Sequence, residues 1–307
     1  MDSVATTPAP ALDKPLMHYG KRTLDRIAPD AAQPDYRLLD VSPLTPHIGA
    51  EIEGVDLSRP IGEELAEEIR QALLEWKVIF FRDQHAFDPT SQLAFSGLWG
   101  QPEPNPFFPK GDTAGVSRLA KDAMAVGTEN IWHSDHSFMA APALGSVLRA
   151  VEVPSAGGDT VWADMAAAYD NLTDSVKARI AGLTAVHDWV PSWGALMTES
   201  QVAAHRGNLP AVEHPVVVRH PRTGRKLLYV NEPFTTRIVG LSDLESRELL
   251  DELVLQARIP EYQVRFRWQP GSVAVWDNIA TQHYAISDYF PQRRVMERIA
   301  IAGVPLS

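Results

Sequence analysis

The chain of 307 residues contains no cysteine. Without thiols it can have neither a cysteine nucleophile, nor a thiolate zinc site, nor a disulfide framework. The absence also suits a reducing cytoplasm, which is where we expect the protein to work. Basic residues are fewer than acidic ones, with 28 Lys and Arg against 39 Asp and Glu. The net charge of −11 argues against nucleic acid as a partner, because nucleic-acid binding normally requires a basic face.

Long apolar runs are also missing from the sequence. No run approaches the roughly 20 residues that a membrane-spanning helix needs, so we expect no membrane contact. The start, MDSVATTP, lacks the charged and then apolar order of a signal peptide, which again favours the cytoplasm. Hydrophobic residues nevertheless make up 45% of the chain, enough for a core that folds without disulfides.

The composition divides the chain into two parts. Residues 1–35 are rich in Ala, Pro and Asp and predict a loosely ordered N-terminal arm. Within it, residues 14–26 carry enough apolar side chains to dock on the body or on a neighbouring subunit. A homo-oligomer, either a dimer or a tetramer, is therefore expected. Residues 36–307 have the length of a single catalytic domain.

Short segments with strand character recur through this domain and alternate with turns. Helical spacing is limited to residues 63–75, 89–99, 165–181 and 243–257. The stretches 101–130 and 190–210 have no lasting period and are typical of lids or binding loops. A mainly β fold with decorating helices, a sandwich or jelly roll, follows from this pattern. The predicted strands are 37–43, 47–55, 78–81, 146–153, a segment ending at 162, 216–220, 226–230, 263–268, 272–276 and 294–301.

The segment Trp-His-Ser-Asp-His-Ser-Phe at 132–138 contains a candidate metal site. On an extended strand, His133 and Asp135 point to the same side, because side chains alternate across the pleat. His283, far along the chain, can complete one face of an octahedron. Two imidazoles and one carboxylate with the opposite face open are typical of non-haem Fe(II) oxygenases. A lone His-x-Asp is a weak motif, and more often belongs to ordinary surface or core residues.

Two arginines follow this last histidine. Arg294 and Arg298 come eleven and fifteen residues after His283. A guanidinium binds a carboxylate through two parallel hydrogen bonds, so these residues are candidate anchors for carboxylates beside the metal. Taken alone, they could equally be solvated arginines on a strand.

These motifs occur together and in one order. They are Trp-His-Ser-Asp at 132–135, Gly-Gly-Asp-Thr at 157–160, Asn-Glu-Pro-Phe-Thr-Thr-Arg at 231–237, Trp-Asp-Asn at 276–278, and His283 followed by Arg294 and Arg298. With them, the chain resembles the taurine dioxygenase family from about residue 44 to residue 305. That family comprises oxygenases that depend on Fe(II) and 2-oxoglutarate and act on taurine, alkyl sulfates and aryloxyalkanoates.

The resemblance implies a fold, a reaction and a set of site residues. The fold would be a double-stranded β-helix, also called a jelly roll or cupin-like fold. One iron and O₂ would convert 2-oxoglutarate to succinate and CO₂ while the substrate is hydroxylated. The matching residues are His133, Asp135 and His283 as iron ligands, Thr160 and Arg294 at the distal carboxylate of 2-oxoglutarate, and Arg298 near its keto-acid end and the acidic group of the substrate.

The resemblance also marks substrate positions, and several of them differ from the taurine-specific pattern. They are Asn105, Phe108, Glu129, His136, Ser192, Trp193, Phe234 and Arg298. Asn105 and Phe108 stand where taurine-specific members have a histidine and a tyrosine, although both could be ordinary loop and core residues. Glu129 replaces an asparagine. His136 replaces a small apolar residue. Its imidazole could lie at the surface or behind the site. The differences predict a small anionic substrate that is larger and more apolar than taurine.

Two other functions remain open on the residues alone. A non-catalytic jelly-roll binding protein could keep a relict metal site, although an intact triad and both arginines speak against it. A zinc hydrolase could use the same three ligands, but it would have no use for Arg294 and Thr160. The presence of Asp135 speaks against the halogenating relatives, which lack this carboxylate.

Overall fold

The computed structural model describes residues 21–28, 31–32, 34–107, 113–125, 127 and 129–306. In this part of the chain the regular structure is mainly β-sheet with several helices, as the sequence predicts. The strands are β1 (Asp40–Pro43), β2 (Ala50–Glu53), β3 (Val78–Phe81), β4 (Ser117–Lys121), β5 (Gly145–Glu152), β6 (Thr160–Asp164), β7 (Thr184–His187), β8 (Val212–Pro215), β9 (Val217–Arg219), β10 (Lys226–Leu228), β11 (Thr235–Ile238), β12 (Gln263–Phe266), β13 (Val273–Asp277), β14 (Thr281–Ala285) and β15 (Arg294–Ile301).

Six α-helices are formed by the described residues. They are α1 (Glu63–Trp76), α2 (Pro89–Ser96), α3 (Met165–Asp170), α4 (Asp174–Ile180), α5 (Glu199–Arg206) and α6 (Asp243–Val254). Three short 3₁₀ turns add Gly194–Leu196, Leu255–Arg258 and Pro260–Tyr262. None of the helices built from the described residues combines the length and the apolar character of a membrane span.

The strands form one large sheet and three small ones. The large sheet has seven strands in the spatial order β1-β2-β3-β13-β5-β15-β4, and only the β2–β3 pair in it is parallel. A second sheet has the antiparallel order β12-β6-β14. The remaining sheets are β11-β7-β8 and the hairpin β9–β10. The two strands of this hairpin lie within the predicted strands 216–220 and 226–230.

The central strands β3 and β13 of the large sheet are buried on both faces, and alternate side chains of each strand point to opposite faces. In β3, Val78 and Phe80 join the core between the large and the second sheet, where the Phe80 ring stacks on that of Phe266 at 4.0 Å. Ile79 and Phe81 point the other way and pack beneath α1 and α2. The large and second sheets therefore lie face to face, with α1 and α2 on the other side of the large sheet.

The prediction of one continuous helix over residues 165–181 is wrong. The structure has two helices, α3 and α4, separated by residues 171–173. The Asn171 side chain bonds to the Ala167 carbonyl at the end of α3, and Thr173 Oγ1 accepts from Val176 N at the start of α4. Asn and Thr side chains favour such caps over helix interiors, which is why the helix breaks here. The helix predicted at 89–99 is also shorter, ending at Ser96.

The two stretches predicted to be irregular contain regular structure. Residues 101–130 include β4, whose sequence SRLAK has no β-branched residue and forms a strand because β15 pairs with it. Residues 190–210 include α5, whose signal was a capping box in which Thr198 and Gln201 bond to each other's backbone. Strands β7, β8, β11 and β14 were also missed.

A buried ion pair ties the end of α1 to the start of α3. Lys77 Nζ lies 3.0 Å from Asp164 Oδ2, and both side chains are almost fully buried. Asp164 Oδ1 also caps α3 by accepting from two backbone N–H groups. Lys77 Nζ donates to the carbonyls of His47 and Arg26, at 2.7 and 3.0 Å. Residues 21–28 thereby contact the body, whereas residues 1–20 of the predicted arm lie outside the described part.

We expect Lys77→Met to lower the free energy of unfolding by about 3–5 kcal/mol, since it leaves the Asp164 carboxylate buried without its cation. Urea unfolding followed by circular dichroism measures this change. Lys226→Met removes the same charge from an exposed position and should change stability by less than about 0.5 kcal/mol. Equal effects of the two substitutions would show that the buried pair has no special contribution.

Candidate metal centre and substrate cavity

Three side chains that are distant in sequence meet at one point of the structure. The candidate ligand atoms of His133, Asp135 and His283 all lie within 4.8 Å of one another. His133 Nε2 is 3.8 Å from Asp135 Oδ1, and His283 Nε2 is 3.9 Å from Asp135 Oδ2. Two backbone hydrogen bonds, of 3.1 and 2.8 Å, join His133 to His283 directly. The backbone pairing itself therefore brings the two imidazoles together.

The segment that carries His133 and Asp135 is not an extended strand, so that prediction was wrong. Only His133 forms a β-bridge, to His283, and a turn begins at Asp135. In this turn His136 has a φ of 56°, a left-handed conformation that residues other than glycine rarely adopt. A tight turn, rather than the strand pleat, directs the Asp135 carboxylate toward the imidazoles.

Asn278 holds this turn in place. Its Oδ1 accepts a hydrogen bond from Asp135 N at 2.7 Å, and its Nδ2 donates to the carbonyls of Asp135 and Ala143, both at 2.8 Å. The Asn278 side chain is fully buried and lies in the connection from β13 to β14, which carries His283. One amide therefore couples the two parts of the site. The motif Trp-Asp-Asn marked this position without revealing its role.

The protein surroundings set the protonation states of Asp135 and His283 without any bound ligand. Burial opposes ionisation of Asp135, but Arg298, whose Nη1 donates to Asp135 Oδ1 at 2.7 Å, and the nearby histidines keep its pKa well below the usual range. Burial, together with the neighbouring His133, lowers the pKa of His283 to about 3. The pair therefore offers a carboxylate and a neutral imidazole, the forms in which these side chains bind metals.

The orientation of His133 is fixed by the backbone. Its Nδ1 lies 2.8 Å from the carbonyl oxygen of Ile131, which can only accept a hydrogen bond. Nδ1 therefore carries the proton, and Nε2 is left with its lone pair facing Asp135. This arrangement is typical of metal-binding histidines, whose second nitrogen donates to an oxygen.

The three ligands lie on the wall of a cavity of about 320 Å³. It lies beside the layer between the large and the second sheet, and is lined by Trp276 from the large sheet and Trp162 from the second. Strands β4, β5, β6, β14 and β15 contribute most of the inner wall. Phe107, Trp193, Leu196, Met197 and Phe234, from the loops above the sheets, make the outer part apolar.

The predicted 2-oxoglutarate residues lie together on this wall. Thr160 Oγ1 accepts a hydrogen bond from Trp268 Nε1 at 2.9 Å, so the Thr160 hydroxyl hydrogen is left to donate. Arg294 is buried, and its Nε has no hydrogen-bond partner among the described residues. Gly158 makes room for it, because a Cβ there would lie 3.2 Å from Arg294 Cδ and the φ of 71° also favours glycine.

The structure places the predicted substrate residues in different surroundings. Glu129, Trp193, Phe234 and Arg298 line the cavity, with the rings of Trp193 and Phe234 5.3 Å apart. Asn105, His136 and Ser192 are not among the described residues of the cavity wall. Phe108 lies outside the described part of the chain.

Asn105 and His136 are buried behind the wall and contact each other. Asn105 Nδ2 lies 3.0 Å from His136 Nε2, and His136 Nδ1 lies 3.4 Å from Glu103 Oε2. His136 is therefore not a surface imidazole. Asn105 Oδ1 also accepts from Phe107 N, which places the Phe107 ring at the cavity.

Several wall residues were missed by sequence reasoning. Lys121 lies on β4, the strand that the sequence did not predict, and its Nζ is 2.8 Å from Glu129 Oε1. Leu196 and Met197 lie in the stretch before α5, which was treated as irregular. Their only sequence signal was an apolar pair followed by the Thr198 capping box.

The residues present fit a ferrous ion and 2-oxoglutarate. A compact set of two imidazoles and one ionised carboxylate is suited to Fe(II). The unpartnered Arg294 Nε and the Thr160 hydroxyl are two donors that face one cavity, as a bound carboxylate requires.

Comparison with known proteins agrees with this geometry. The model of the family described as "Taurine catabolism dioxygenase TauD, TfdA family" matches residues 40–300. The α-ketoglutarate-dependent sulfate ester dioxygenase of Pseudomonas putida is 40% identical over 283 residues, which cover 89% of this chain and 92% of that protein. An alkylsulfatase of Acinetobacter baylyi is 38% identical over 273 residues, covering 86% and 85%.

A solved structure is similar in both sequence and fold. A taurine dioxygenase from Burkholderia xenovorans superimposes with a TM-score of 0.75 at 37% identity, covering 87% of this chain and 90% of that one. The family match extends over most of the chain and includes the metal triad, both arginines and Thr160. The chain therefore belongs to the TauD, TfdA family of dioxygenases.

Proposed function

We propose that this chain is an Fe(II)- and 2-oxoglutarate-dependent dioxygenase that hydroxylates a small anionic organic molecule and releases succinate and CO₂. The observation that carries the proposal is the meeting of His133, Asp135 and His283 on a cavity that also exposes Arg294 and Thr160. The relative named as α-ketoglutarate-dependent supports the same reaction, since α-ketoglutarate is 2-oxoglutarate. Residues 36–307 would form the catalytic domain.

In this proposal His133, Asp135 and His283 hold the ferrous ion, which when bound supplies the activation of O₂ that protein side chains cannot provide. The chain prepares the ligands in advance. Arg298 keeps Asp135 ionised, burial keeps His283 neutral, and the Ile131 carbonyl fixes the tautomer of His133. The ion thus finds a site that needs little reorganisation.

Arg294 and Thr160 would bind the distal carboxylate of 2-oxoglutarate. Both are buried, so their hydrogen bonds to a carboxylate would be made in a site from which water is largely excluded. Arg298 lies between this position and the metal ligands, and would face the keto-acid end and the acidic group of the substrate. It already donates to Asp135, which fixes the direction of its guanidinium.

The charges on the cavity wall favour a substrate with one negative charge. Among the described wall residues, the cations Lys121, Arg294 and Arg298 face the carboxylates Asp135 and Glu129. A ferrous ion adds two positive charges and 2-oxoglutarate adds two negative ones. One positive charge then remains, which a sulfate monoester, a sulfonate or a carboxylate would neutralise.

The outer part of the cavity suits an apolar body on that substrate. Trp193, Phe234 and Leu196 line it, and pockets of this kind bind organic molecules through apolar contact with a few polar anchors. Phe108 stays a proposed contact. Asn105 and His136 would act from behind the wall, by holding Phe107 and the turn after Asp135. Ser192 bonds to the Trp189 carbonyl, so we assign it a part in shaping the loop that carries Trp193.

The two alternative functions fit less well. A relict site would be expected to have lost at least one of the three ligands, Arg294 or Thr160, and all of them are present. A zinc hydrolase would have no use for Arg294 and Thr160, because it binds no 2-oxoglutarate. The named dioxygenase relatives support the oxygenase and neither alternative.

The test is succinate formation from 2-oxoglutarate by the Fe(II)-loaded enzyme, screened over alkyl sulfates, sulfonates and aryloxyalkanoates. Succinate that appears only with both Fe(II) and one of these substrates supports the proposal. Hydrolysis of a substrate by the Zn(II) form without 2-oxoglutarate or O₂ would replace it with the hydrolase.

We expect alkyl sulfates, longer sulfonates or aryloxyalkanoates to have specificity constants above that of taurine at saturating 2-oxoglutarate. The physical reason is the apolar outer cavity, which taurine is too short to fill. Each additional buried methylene is worth about 0.8 kcal/mol, or roughly a factor of four in the specificity constant. An alkyl methyl ether of matched length, which carries no charge, is the control. Taurine as the best substrate, or equal rates with the ether, would contradict the expectation.

Three further properties are proposals of the same kind. The two facing sheets, β12-β6-β14 against the large sheet, support a double-stranded β-helix. A cytoplasmic location is supported by the absence of cysteine. A homo-oligomer, dimer or tetramer, is expected, and sedimentation velocity of the full chain measures it.

A further inference from the structure

Two cations lie directly opposite each other at the inner end of the cavity. Lys121 on β4 pairs with Arg294 on β15 in the antiparallel register, and both side chains line the cavity. Opposite residues on one face have Cβ atoms about 4.5–5.5 Å apart, so like charges at such positions repel. An anion near both of them is needed to offset this repulsion.

Glu129 supplies that anion. Its Oε1 lies 2.8 Å from Lys121 Nζ, and its side chain also lines the cavity. Burial lowers the pKa of Arg294, and the charges of Tyr289, Glu129 and Asp159 act in the opposite direction, so Glu129 is close enough to interact with the guanidinium. The carboxylate is therefore paired with Lys121 and acts on the Arg294 guanidinium at longer range.

The position of Glu129 is fixed from its backbone and from its neighbours. Its carbonyl accepts a hydrogen bond from Ala285 N at 3.3 Å, next to the strand that carries His283. A Cβ on Gly127 would lie 3.6 Å from Glu129 Oε2 and 3.1 Å from Tyr289 Oη. Since the Tyr289 ring lies 5.9 Å from the guanidinium carbon of Arg294, these groups form one cluster around that guanidinium.

We propose that Lys121 and Glu129 control the affinity for the co-substrate, by deciding whether Glu129 or the distal carboxylate of 2-oxoglutarate is the counter-ion of Arg294. The proposal rests on the function proposed above. Lys121 holds the Glu129 carboxylate to its own side, which leaves the Arg294 guanidinium available. When 2-oxoglutarate binds, Glu129 stays paired with Lys121. Because Lys121 neutralises the Glu129 carboxylate, the repulsion between this group and the distal carboxylate of 2-oxoglutarate is reduced.

Substituting either partner of the Lys121–Glu129 ion pair should change the dissociation constant of 2-oxoglutarate, and the two changes should have opposite signs. Lys121→Met releases Glu129 toward Arg294, and the dissociation constant of 2-oxoglutarate should rise about tenfold. Glu129→Gln removes the competing anion, and the constant should fall about threefold. The double variant Lys121→Met/Glu129→Gln should return to within about twofold of the original value, because the coupled charges are removed together.

The measurement is isothermal titration calorimetry of 2-oxoglutarate into the Mn(II)-loaded full chain, which binds without turnover. 2-Oxopentanoate, which lacks the distal carboxylate, is titrated in parallel and should bind all variants equally. Lys226→Met carries the same charge change at an exposed position outside the cavity and should leave both constants unchanged.

An increase of the constant in both single variants, without recovery in the double variant, would overturn the proposal and leave a purely structural ion pair. Equal changes for 2-oxopentanoate would overturn it as well. If the original protein binds no 2-oxoglutarate in the presence of Mn(II), the proposed function itself is wrong. If the protein binds 2-oxoglutarate but the two single variants do not change its dissociation constant in opposite directions, only the role of Lys121 and Glu129 is refuted.

Discussion

Asp135→Ala should abolish Fe(II)-dependent succinate formation, with a loss of at least about a thousandfold. Two imidazoles alone form a neutral and incomplete set, and the charge that attracts a divalent cation comes from this carboxylate. Equilibrium titration with Fe(II) under anaerobic conditions should show the metal affinity lowered by about 100-fold or more, the range seen when metal-site residues are disturbed. Succinate is quantified at saturating metal, 2-oxoglutarate and substrate.

The same substitution removes the partner of a buried guanidinium, so stability needs a separate control. Arg298 would lose its 2.7 Å hydrogen bond to Asp135. Asp135→Asn keeps the shape of the side chain and its place in the turn while removing the charge. It should remain folded in thermal unfolding of the metal-free protein and still fail to turn over. Asp251→Ala, at an exposed position on α6, should behave like the original chain. Normal turnover in a folded Asp135→Asn variant would remove the metal assignment.

Arg294→Gln should raise the Michaelis constant for 2-oxoglutarate steeply and change the rate at saturation much less. The loss of a charged hydrogen-bonding partner from a buried carboxylate is on the order of 2–5 kcal/mol, which corresponds to roughly 30-fold to several thousandfold. Arg294 is buried and its Nε has no hydrogen-bond partner among the described residues, so the carboxylate of 2-oxoglutarate would be its acceptor. Initial rates over a wide range of 2-oxoglutarate measure the constant.

The adjacent arginine provides a matched control. Arg293 is half exposed and pairs with Glu152 on the outside of the sheet. Arg293→Gln should leave the Michaelis constant within about twofold, since exposed ion pairs contribute little. A constant that is unchanged in Arg294→Gln, or changed equally in both variants, would mean that the co-substrate is anchored elsewhere.

Much of the candidate site could be predicted because its chemistry depends on residue types in a fixed order. His133, Asp135 and His283 form a recognisable donor set, and the two arginines after His283 follow at a spacing that keeps both on one face of β15, where Arg294 and Arg298 both line the cavity. The mainly β fold also followed from the sequence, since strands such as β3 and β15 are rich in β-branched and aromatic residues. These features depend on residue types and short spacings, which can be recognised in the sequence without knowing the tertiary contacts.

The contacts that complete the site could not be predicted in this way. The turn at Asp135 exists because Asn278, from another part of the chain, binds the backbone of Asp135 at two points and that of Ala143 at a third. Strand β4 has no strand pattern of its own and forms only by pairing with β15, so Lys121 was missed as a cavity residue. In the same way, only packing showed that His136 is buried against Asn105 rather than exposed.

The sequence by itself determined the class of chemistry, and it predicted the candidate ligands His133, Asp135 and His283 and the candidate carboxylate anchors Arg294 and Arg298, because these depend on side-chain type and spacing. The tertiary structure decided which side chains reach the cavity and which charges face one another there. It placed Trp193 and Phe234 on the wall, kept Asn105 behind it, and set Lys121 opposite Arg294 with Glu129 beside them. The physical reason is that burial and electrostatic coupling arise between residues far apart in sequence, and they exist only once the strands have paired.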